Sequence, residues 1–550
     1  MNLKIIPLGG LGEIGLNMMV FESEKSMFVV DAGLMFPEDH MLGVDFVIPD
    51  IAYLRQNRSR VRGIVLTHAH EDHIGALAYL LKEINVPVFG TPFTLGMVRQ
   101  RLEEFGILQY VSLHSVVPGD TIPLGDFTVE FIHVSHSVVD CVGLAIYTPA
   151  GLVVHTGDFK INHSSTLEMS TDLTRFARCG EEGVLALLSD STNVEKKGYT
   201  VSDFEIGENI SDIIRSGKGR MVIALFASSV FRIQQIVDIA AAENRKIVFN
   251  GKSIENCVHI ARNLGYLHIP ERMEIYINQI NNYPDREIVI VTTGSQGEPM
   301  SALARMASGI HKQIKIRGGD TVILSSKFIP GNERAIVKII NNLFRKGADV
   351  IYEKISNIHV SGHAFQEELK LMIQLTRPRY FIPIHGEYRH LVLHGRLAKQ
   401  LGICDADILV IENGQVIEFD DDGVRLQGAV DTGRVLVDGK GVGDVGKSVL
   451  KERRILAEDG IVGVTMGFDE ETGIVIYGPE VFSRGFVFES ESGHLLEDAK
   501  CVILEIVEDV TSETPHRVEV IRVRMQAALK KYFDFAIHRR PVILPFFFEM

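Results

Sequence analysis

Cysteine is scarce in this chain. Five residues, Cys141, Cys179, Cys257, Cys404 and Cys501, are scattered over 550 positions, odd in number and without a CxxC pair. That distribution excludes a disulfide framework and a cysteine-ligated zinc site, and it leaves the thiols as reduced core residues. Long hydrophobic runs are also missing: no stretch of about 18 uninterrupted apolar residues occurs, which excludes a membrane-spanning helix and a membrane partner. The amino terminus, Met1-Asn2-Leu3-Lys4-Ile5-Ile6-Pro7-Leu8-Gly9-Gly10, enters a strand-and-glycine-turn pattern directly, without a charged leader and cleavage site, so a cytoplasmic protein is expected. Internal repeats and low-complexity tracts are absent. Excess positive charge is lacking too. The net charge of −15 argues at first sight against a nucleic-acid partner, because phosphate backbones are bound through Lys and Arg. Metal-binding carboxylates enter that sum as negative, however, so only a basic patch near a site is required.

What is present is a folded composition, 46% apolar and 23% charged, in a chain too long for one core, which predicts two or three domains. Residues 67–75, Thr-His-Ala-His-Glu-Asp-His-Ile-Gly, carry the most information. In an extended segment residues two apart face one side, so His68 and His70 can bind one metal ion. Asp72 and His73, at the start of a following helix, point at a second. The apolar run Gly63–Leu66 before the motif predicts a buried strand and Ile74–Leu81 after it a helix, so the site lies at a strand's carboxyl end. Glu71 is expected to face solvent at the helix start rather than to ligate.

From 1 to about 200, short apolar runs alternate with glycine turns: Lys4–Leu8, Met27–Asp31, Val61–Leu66, Pro87–Gly90, Thr128–His133, Leu152–Asp158 and Val184–Asp190. They predict stacked sheets. From about 204 the rhythm becomes strand, helix, strand: Arg220–Phe226, a helix through Ala242, Lys246–Asn250, a helix through Leu264, Glu287–Thr292, then Thr321–Ser326 leading into Ala335–Arg345. Such alternation predicts parallel βαβ units. A strand at Tyr380–Ile384 returns to histidine-rich chemistry, residues 431–447 read as a linker with a turn of its own, and beyond about 450 a separate piece follows. In that piece strands are expected near Ile461–Gly467 and Thr472–Ile476, two helical stretches within 491–532 and a closing strand Pro541–Phe547. Its apolar end, Leu544-Pro545-Phe546-Phe547-Phe548, reads as core rather than interface.

Two metal ions need about seven protein ligands, so others must come from distant strand ends. His136 follows Thr128–His133, Asp158 closes the run from Leu152 and can bridge two ions, and His385 ends Tyr380–Ile384.

The order HxHxDH, His136, Gly157-Asp158 and His385 resembles the metallo-β-lactamase superfamily, and the block between Asp190 and His385 resembles the β-CASP insertion of its nucleic-acid-processing branch. Gly9-Gly10-Leu11-Gly12-Glu13-Ile14-Gly15, Phe36-Pro37-Glu38, HTGDFK at 155–160, LLSDSTN at 187–193, TGSQGEPM at 293–300, HVSGH at 359–363, PIHGEYRH at 383–390 and SRGFV at 483–487 resemble the bacterial ribonuclease J family over essentially the whole chain. The resemblance implies an α/β fold: a metallo-β-lactamase αββα sandwich, an inserted parallel α/β β-CASP domain and a small α+β carboxyl-terminal domain. Its implied boundaries are 1–203 and 365–430 for the two parts of the first domain, 204–364 for the insertion, 431–449 for the linker and 450–550 for the last domain.

Position by position, the resemblance implies one zinc on His68, His70 and His136, another on Asp72, His73 and His385, and Asp158 between them, with manganese or magnesium as alternative ions in activity. The family's insertion motifs fall on Asp190, His363 and His385, and the catalytic set is His363, Asp190 and Asp72. His363 is the candidate proton donor to the leaving 3′ oxygen, with Asp190 orienting its ring. The segment His359-Val360-Ser361-Gly362-His363 would hold a 5′ phosphate. At Phe226–Arg232 relatives commonly carry Asn and His where this chain has Ser229 and Phe231, which leaves Ser228 and Arg232 as candidate RNA contacts. Gly43, Asp45 and Asp444 match groups that bind a structural divalent ion, calcium, in some relatives. The implied activity is 5′-to-3′ exonuclease and endonuclease cleavage of single-stranded RNA, 5′-monophosphorylated RNA preferred, in RNA maturation and mRNA decay. The implied partners are a homodimer or homotetramer mate and a helicase or ribosome of the decay machinery. Two rivals are weighed against this. A small-molecule hydrolase can use the same two-metal core, but the insertion that roofs the site disfavours it. A catalytically dead scaffold is disfavoured because all seven ligand positions carry competent side chains.

Overall fold

A computed structural model of the chain describes residues 2–162, 170–298, 300–326, 332–352, 358, 361–469, 471–472, 474–487, 493–511 and 513–549. It contains two compact units, residues 1–36 with 47–435, and residues 37–46 with 436–550.

The larger unit is built on two packed sheets. The first has eight strands, in spatial order Gly423–Ala429, Gln415–Asp420, Leu3–Gly9, Met18–Glu22, Met27–Val30, Val61–Val65, Val88–Gly90 and Leu113–Ser115. Its neighbours run antiparallel as far as Met27–Val30 and parallel beyond. The second has six: Tyr380–Ile384, Val184–Asp190 and Gly151–His155 in parallel, then Val142–Thr148, Phe127–His133 and Thr121–Leu124 antiparallel. Successive residues of a strand face opposite sides. Leu3, Ile5, Phe28 and Val30 therefore pack against Phe131, Leu144, Val153 and Leu188 between the sheets, while Ile6, Leu8, Met27 and Val29 face a helical layer. Burial on both faces is why these strands read as unbroken apolar runs. Helices Leu77–Glu83 and Pro92–Glu104 cover the first sheet through Leu80, Leu81 and Val98, and Leu173–Glu182 and Gln366–Thr376 bring Phe176, Met372 and Ile373 into the same outer core.

Val184–Asp190 and Tyr380–Ile384 are hydrogen-bonded neighbours, yet 189 residues lie between Asp190 and Tyr380 in sequence, and a third sheet fills that interval. Its strands are all parallel, in the order Lys246–Asn250, Ile288–Thr292, Met221–Ala224, Thr321–Leu324 and Asp349–Ile351. Helices Ala302–Ser308 and Glu333–Arg345 cover one face through Leu303, Met306, Ile336 and Leu343. Helices Asp203–Ser216, Val230–Ala242 and Lys252–Asn263 cover the other through Ile210, Ile236 and Ile254.

The smaller unit has a helix Lys447–Asp459 and a sheet in which Ile461–Phe468 pairs antiparallel with Val475–Arg484 and parallel with Val542–Glu549. Helices Gly493–Asp509 and Arg517–Ile537 pack Ile503, Met525 and Phe533 onto Val462, Val464 and Met466. The apolar carboxyl end is only half core: Ile543 is buried, whereas Leu544 and Phe546 are exposed on the face where Phe546 stacks with the exposed Phe482. Three further expectations are corrected. The stretch read as a linker carries the paired strands Arg434–Asp438 and Gly441–Val442 and the start of a helix. The helix after the histidine motif is broken into Glu71–Ile74 and Leu77–Glu83, because the Ala76 N–H donates to the Ala32 carbonyl (2.8 Å) instead of to its own turn. Cys141, Cys179 and Cys257 are buried and unpaired, but Cys404 and Cys501 are exposed. Among the described residues no helix is long and apolar enough to cross a membrane.

Candidate metal centre

Six strand ends converge on one spot between the two sheets. Met27–Val30 delivers Asp31, Val61–Val65 the segment with His68 and His70, Phe127–His133 delivers His136, Gly151–His155 Asp158, Val184–Asp190 Asp190 itself, and Tyr380–Ile384 delivers His385. His68 and His70 stand on an irregular segment bent at Ala69 rather than on an extended strand, and they still converge: His68 Nε2 lies 3.0 Å from His70 Nδ1, which is 3.2 Å from His136 Nε2. Asp31 and His385 both adopt left-handed backbone angles, φ 62° and 54°, a sparsely populated region for non-glycine residues.

The side chains fall into overlapping groups whose ligand atoms lie within 4.8 Å of one another: His68, His70, His136 and Asp158; Asp72, His73 and His385; and Asp158, His363 and His385. Asp158 Oδ2 joins them, at 3.3 Å from His73 Nε2, 3.5 Å from His385 Nε2, 3.7 Å from His68 Nε2 and 3.9 Å from His136 Nε2. Asp72 Oδ2 is 3.4 Å from His385 Nε2 and 3.7 Å from His73 Nε2. Tetrahedral ligands around an ion with bonds of about 2.0–2.1 Å stand roughly 3.3–3.4 Å apart, so the donor set fits two small divalent cations sharing Asp158. Glu71 is not among them; it is exposed and paired with Arg101 at 2.6 Å.

Three of the candidate ligand rings, His68, His73 and His136, are held from behind, and this layer the sequence reading missed. Asp31 Oδ2 accepts from His73 Nδ1 (2.7 Å) and from the Thr67 hydroxyl (2.8 Å), which itself meets His68 Nδ1 at 3.1 Å. The Gly362 carbonyl takes His136 Nδ1 at 2.7 Å. A Cβ on Gly362 would come 2.5 Å from the His136 ring, so the close approach that only glycine allows here is to an imidazole. Likewise a Cβ on Gly33 would overlap the Asp72 carbonyl.

Electrostatics sorts the histidines. Burial holds His68 and His136 well below the ordinary range and lowers His70 to about 4, so these three are neutral imidazoles with lone pairs available. Burial also opposes the charge on His73 and His385, but the Asp158 and Asp72 carboxylates outweigh it, raising His73 well above its ordinary value and His385 to about 9. In His363 burial is outweighed by Asp190, whose Oδ2 is 2.8 Å from Nδ1, and the ring is pushed up. The same contact, against the effect of burial, lowers Asp190.

Of the other expected site residues, His359 and Val360 lie outside the described residues. Ser361 and His363 are half-buried beside the metal ligands; the Ser361 hydroxyl accepts from Asn193 Nδ2, and the Asn193 amide also reaches the His363 carbonyl (3.0 Å). Ser361 is not a helix cap, since the next helix begins at Gln366. Ser228 is half-buried, whereas Arg232 is 7% exposed with its guanidinium on Asp203 (3.2 Å) and Gln235 (2.7 Å). In the smaller unit Asp45 Oδ2 accepts from the Gly439 N–H (2.8 Å), and the Arg453 guanidinium, bound to the Leu42 carbonyl (2.9 Å) and to Asp438 (2.5 Å), sits against Gly43. Asp444 lies against Gly441.

Comparison with known proteins decides the family. Residues 11–190 match the metallo-beta-lactamase superfamily, 218–343 the ribonuclease J beta-CASP domain, 347–409 the Zn-dependent metallo-hydrolase RNA specificity domain and 448–550 the ribonuclease J C-terminal domain. The chain is 42% identical to Ribonuclease J2 of Bacillus subtilis (strain 168) over 549 residues, covering 100% of this chain and 99% of that protein. The chain belongs to the ribonuclease J family. Ribonuclease J 1 of Streptococcus pyogenes serotype M3 is 40% identical over 98% of this chain and 96% of its own length. Ribonuclease J of Synechocystis sp. is 45% identical over 93% and 79%. A solved structure titled as a protein of unknown function from Enterococcus faecalis V583 superposes with a TM-score of 0.54 at 16% identity, covering 76% of this chain and 100% of that one, and shares the fold alone. This ribonuclease J family member is therefore a metal-dependent ribonuclease: a metallo-β-lactamase domain carrying a β-CASP insertion and a carboxyl-terminal domain, with a His and Asp cluster able to bind metal.

Proposed function

We propose that the enzyme is a two-zinc ribonuclease that degrades single-stranded RNA from the 5′ end and also cuts internally, in RNA maturation and mRNA decay. The observation that carries the reading is the position of His363, a histidine outside the seven-ligand set yet only 3.9 Å from the Asp158 carboxylate, with its pKa raised by Asp190. Two bound cations would supply an activated water at neutral pH and neutralise charge on the phosphate as it develops. The residues do the rest. His68, His70, His136 and Asp158 would hold one ion; Asp72, His73, His385 and Asp158 would hold the other. His363 keeps Nδ1 on Asp190 and has Nε2 to give a proton to the departing 3′ oxygen, for which a pKa above its ordinary value suits a donor.

Direction is assigned to the segment 359–363. Ser361 and the backbone around Gly362 would seat a terminal monophosphate at a fixed distance from the ions, with Ser228 and Arg232 as further contacts to the RNA. The exposed face with Phe482, Leu544 and Phe546 supports self-association into a homodimer or homotetramer. A helicase or ribosome as decay partner, a cytoplasmic location, manganese or magnesium as working ions, the domain boundaries given above and a structural calcium at Gly43, Asp45 and Asp444 are proposals from the same family likeness; the last must compete with the Arg453 guanidinium beside Gly43.

The test is metal analysis of the purified protein together with one RNA supplied with a 5′ monophosphate, triphosphate or hydroxyl. Two zinc ions per chain and mononucleotides released from the monophosphate alone are expected. Equal mononucleotide release from all three would remove the terminal-phosphate pocket, and a protein without zinc would remove the metal assignment.

A further inference from the structure

We infer that Thr192 is a positioning residue for the metal ligand His385, its hydroxyl fixing the imidazole tautomer and tying that ligand to Asp190, the carboxylate that holds His363. The inference rests on the two-metal reading. The Thr192 Oγ1 is 2.7 Å from His385 Nδ1, 2.8 Å from Asp190 Oδ1 and 3.1 Å from the His385 carbonyl. A hydroxyl has one proton to give. Asp190 and the carbonyl are acceptors only, so that proton goes to them and the Thr192 oxygen must accept from His385. Nδ1 then carries hydrogen, and the lone pair of Nε2 points at the pocket formed with Asp72 Oδ2 (3.4 Å) and Asp158 Oδ2 (3.5 Å). The chain His385 Nδ1–H to Thr192 O–H to Asp190 is a carboxylate–histidine support with a hydroxyl interposed. Thr192 is itself fixed, because its backbone N–H donates to Asp190 Oδ1 (3.0 Å).

A second copy of the arrangement stands across the site. Thr67 donates to Asp31 Oδ2 (2.8 Å) and meets His68 Nδ1 (3.1 Å), while Asp31 takes His73 Nδ1 directly. In both halves one carboxylate supports one imidazole directly and a second through a threonine. The difference is in what is supported. Asp31 backs two ligands, whereas Asp190 backs one ligand, through Thr192, and the non-ligand His363. Thr192 thus couples the seating of the second ion to the group beside the leaving oxygen.

The experiment compares the full-length protein with T192V, which keeps the shape and removes the hydroxyl, and T192S, which restores it. Zinc is titrated into each metal-free protein against a chelator, with histidine ring resonances reporting which ions bind. Wild type is expected to take two ions. T192V should lose about 10–100-fold in affinity for the ion on His385, with the ion on His68, His70 and His136 unchanged, and T192S should return to near the wild-type value. Wild type binding no zinc would overturn the two-metal reading. Wild type binding two ions while T192V binds both as tightly, or weakens both alike, or T192S failing to restore affinity, would overturn the role of Thr192.

Discussion

Replacing Asp158 by Asn is the sharpest perturbation of the centre, because it removes one charge and almost no volume. The carboxylate is 3% exposed, and its Oδ2 lies 3.3–3.9 Å from the Nε2 atoms of four histidines and 3.9 Å from His363 Nδ1. At such separations and an effective dielectric constant of about 20, one pair of unit charges interacts by about 4–5 kcal/mol. Removing one partner of a buried pair costs about 3–5 kcal/mol, a similar figure reached independently. At about 1.4 kcal/mol per factor of ten, affinity for the ions should fall by about two to four orders of magnitude. A second consequence concerns the metal-free protein. Burial lowers His385, and Asp158 is the largest influence lifting it to about 9, with Asp72 and Asp190 adding to it, so without that carboxylate the ring should titrate below about 9. Metal content after dialysis and a histidine ring titration by NMR read the two effects separately. Retention of both ions at wild-type affinity, or a His385 that still titrates near 9, would refute the bridging assignment.

Zinc affinity should rise with pH between about 6.5 and 9, because an ion must displace the proton that His385 keeps up to about 9. The stability of the metal-free protein should run the other way: a group whose pKa is raised on folding contributes fully below its unfolded value near 6.5 and loses that contribution as pH passes about 9. A flat zinc affinity across this interval in chelator competition would count against the ligand role of His385. His363→Gln should keep both ions and lose about 10²–10⁴ in rate; a fall in zinc content would make His363 a ligand instead. Phe546→Glu on the exposed face beside Phe482 should shift sedimentation to a smaller species with metal content intact, and an unchanged assembly would remove that face as an interface.

The converging His and Asp cluster was legible because the chemistry is uneven in sequence: a group such as His68, His70, Asp72 and His73 has few uses, and His136, Asp158 and His385 each follow an apolar run that cannot be mistaken for surface. Asp31 was not legible as part of the site. In Val29-Val30-Asp31-Ala32-Gly33 it reads as an acid closing a strand, and only packing brings it under His73; the available signal was Gly33, where the backbone of Asp72 leaves no room for a Cβ. Thr67 and Thr192 were hidden for the same reason, being small polar neighbours of conspicuous residues. The helix Lys447–Asp459 escaped because none of its residues is buried, so it lacks the apolar periodicity from which helices are read. Val142–Thr148 carries Gly143 and ends half-exposed, which weakened it as a strand, and its place in the sheet is set by pairing with Phe127–His133. At the carboxyl end a contiguous apolar string looked like core, yet alternation along a strand sends Leu544 and Phe546 to the opposite face from Ile543.

The placement of the insertion explains why this centre suits a polymer. Parallel neighbours need a crossover connection, for which a dozen or so residues suffice, but here the connection from Asp190 to Tyr380 contains an entire five-stranded α/β block. The block leaves at Asp190, and its return segment 361–364 comes back to the His and Asp cluster before helix Gln366–Thr376 leads to Tyr380, which pairs with Ala186 at the other end of the ladder. The return is fastened there twice, by the Gly362 carbonyl on His136 and by the Ala364 N–H on the Phe159 carbonyl at 2.7 Å. His363, between those two anchors, can therefore reach Asp190 and stand 3.9 Å from the Asp158 carboxylate. A small substrate would need neither the block nor this histidine; a phosphodiester inside a chain needs a proton for its leaving oxygen, and in the proposed mechanism the anchored return segment would hold His363 to give it.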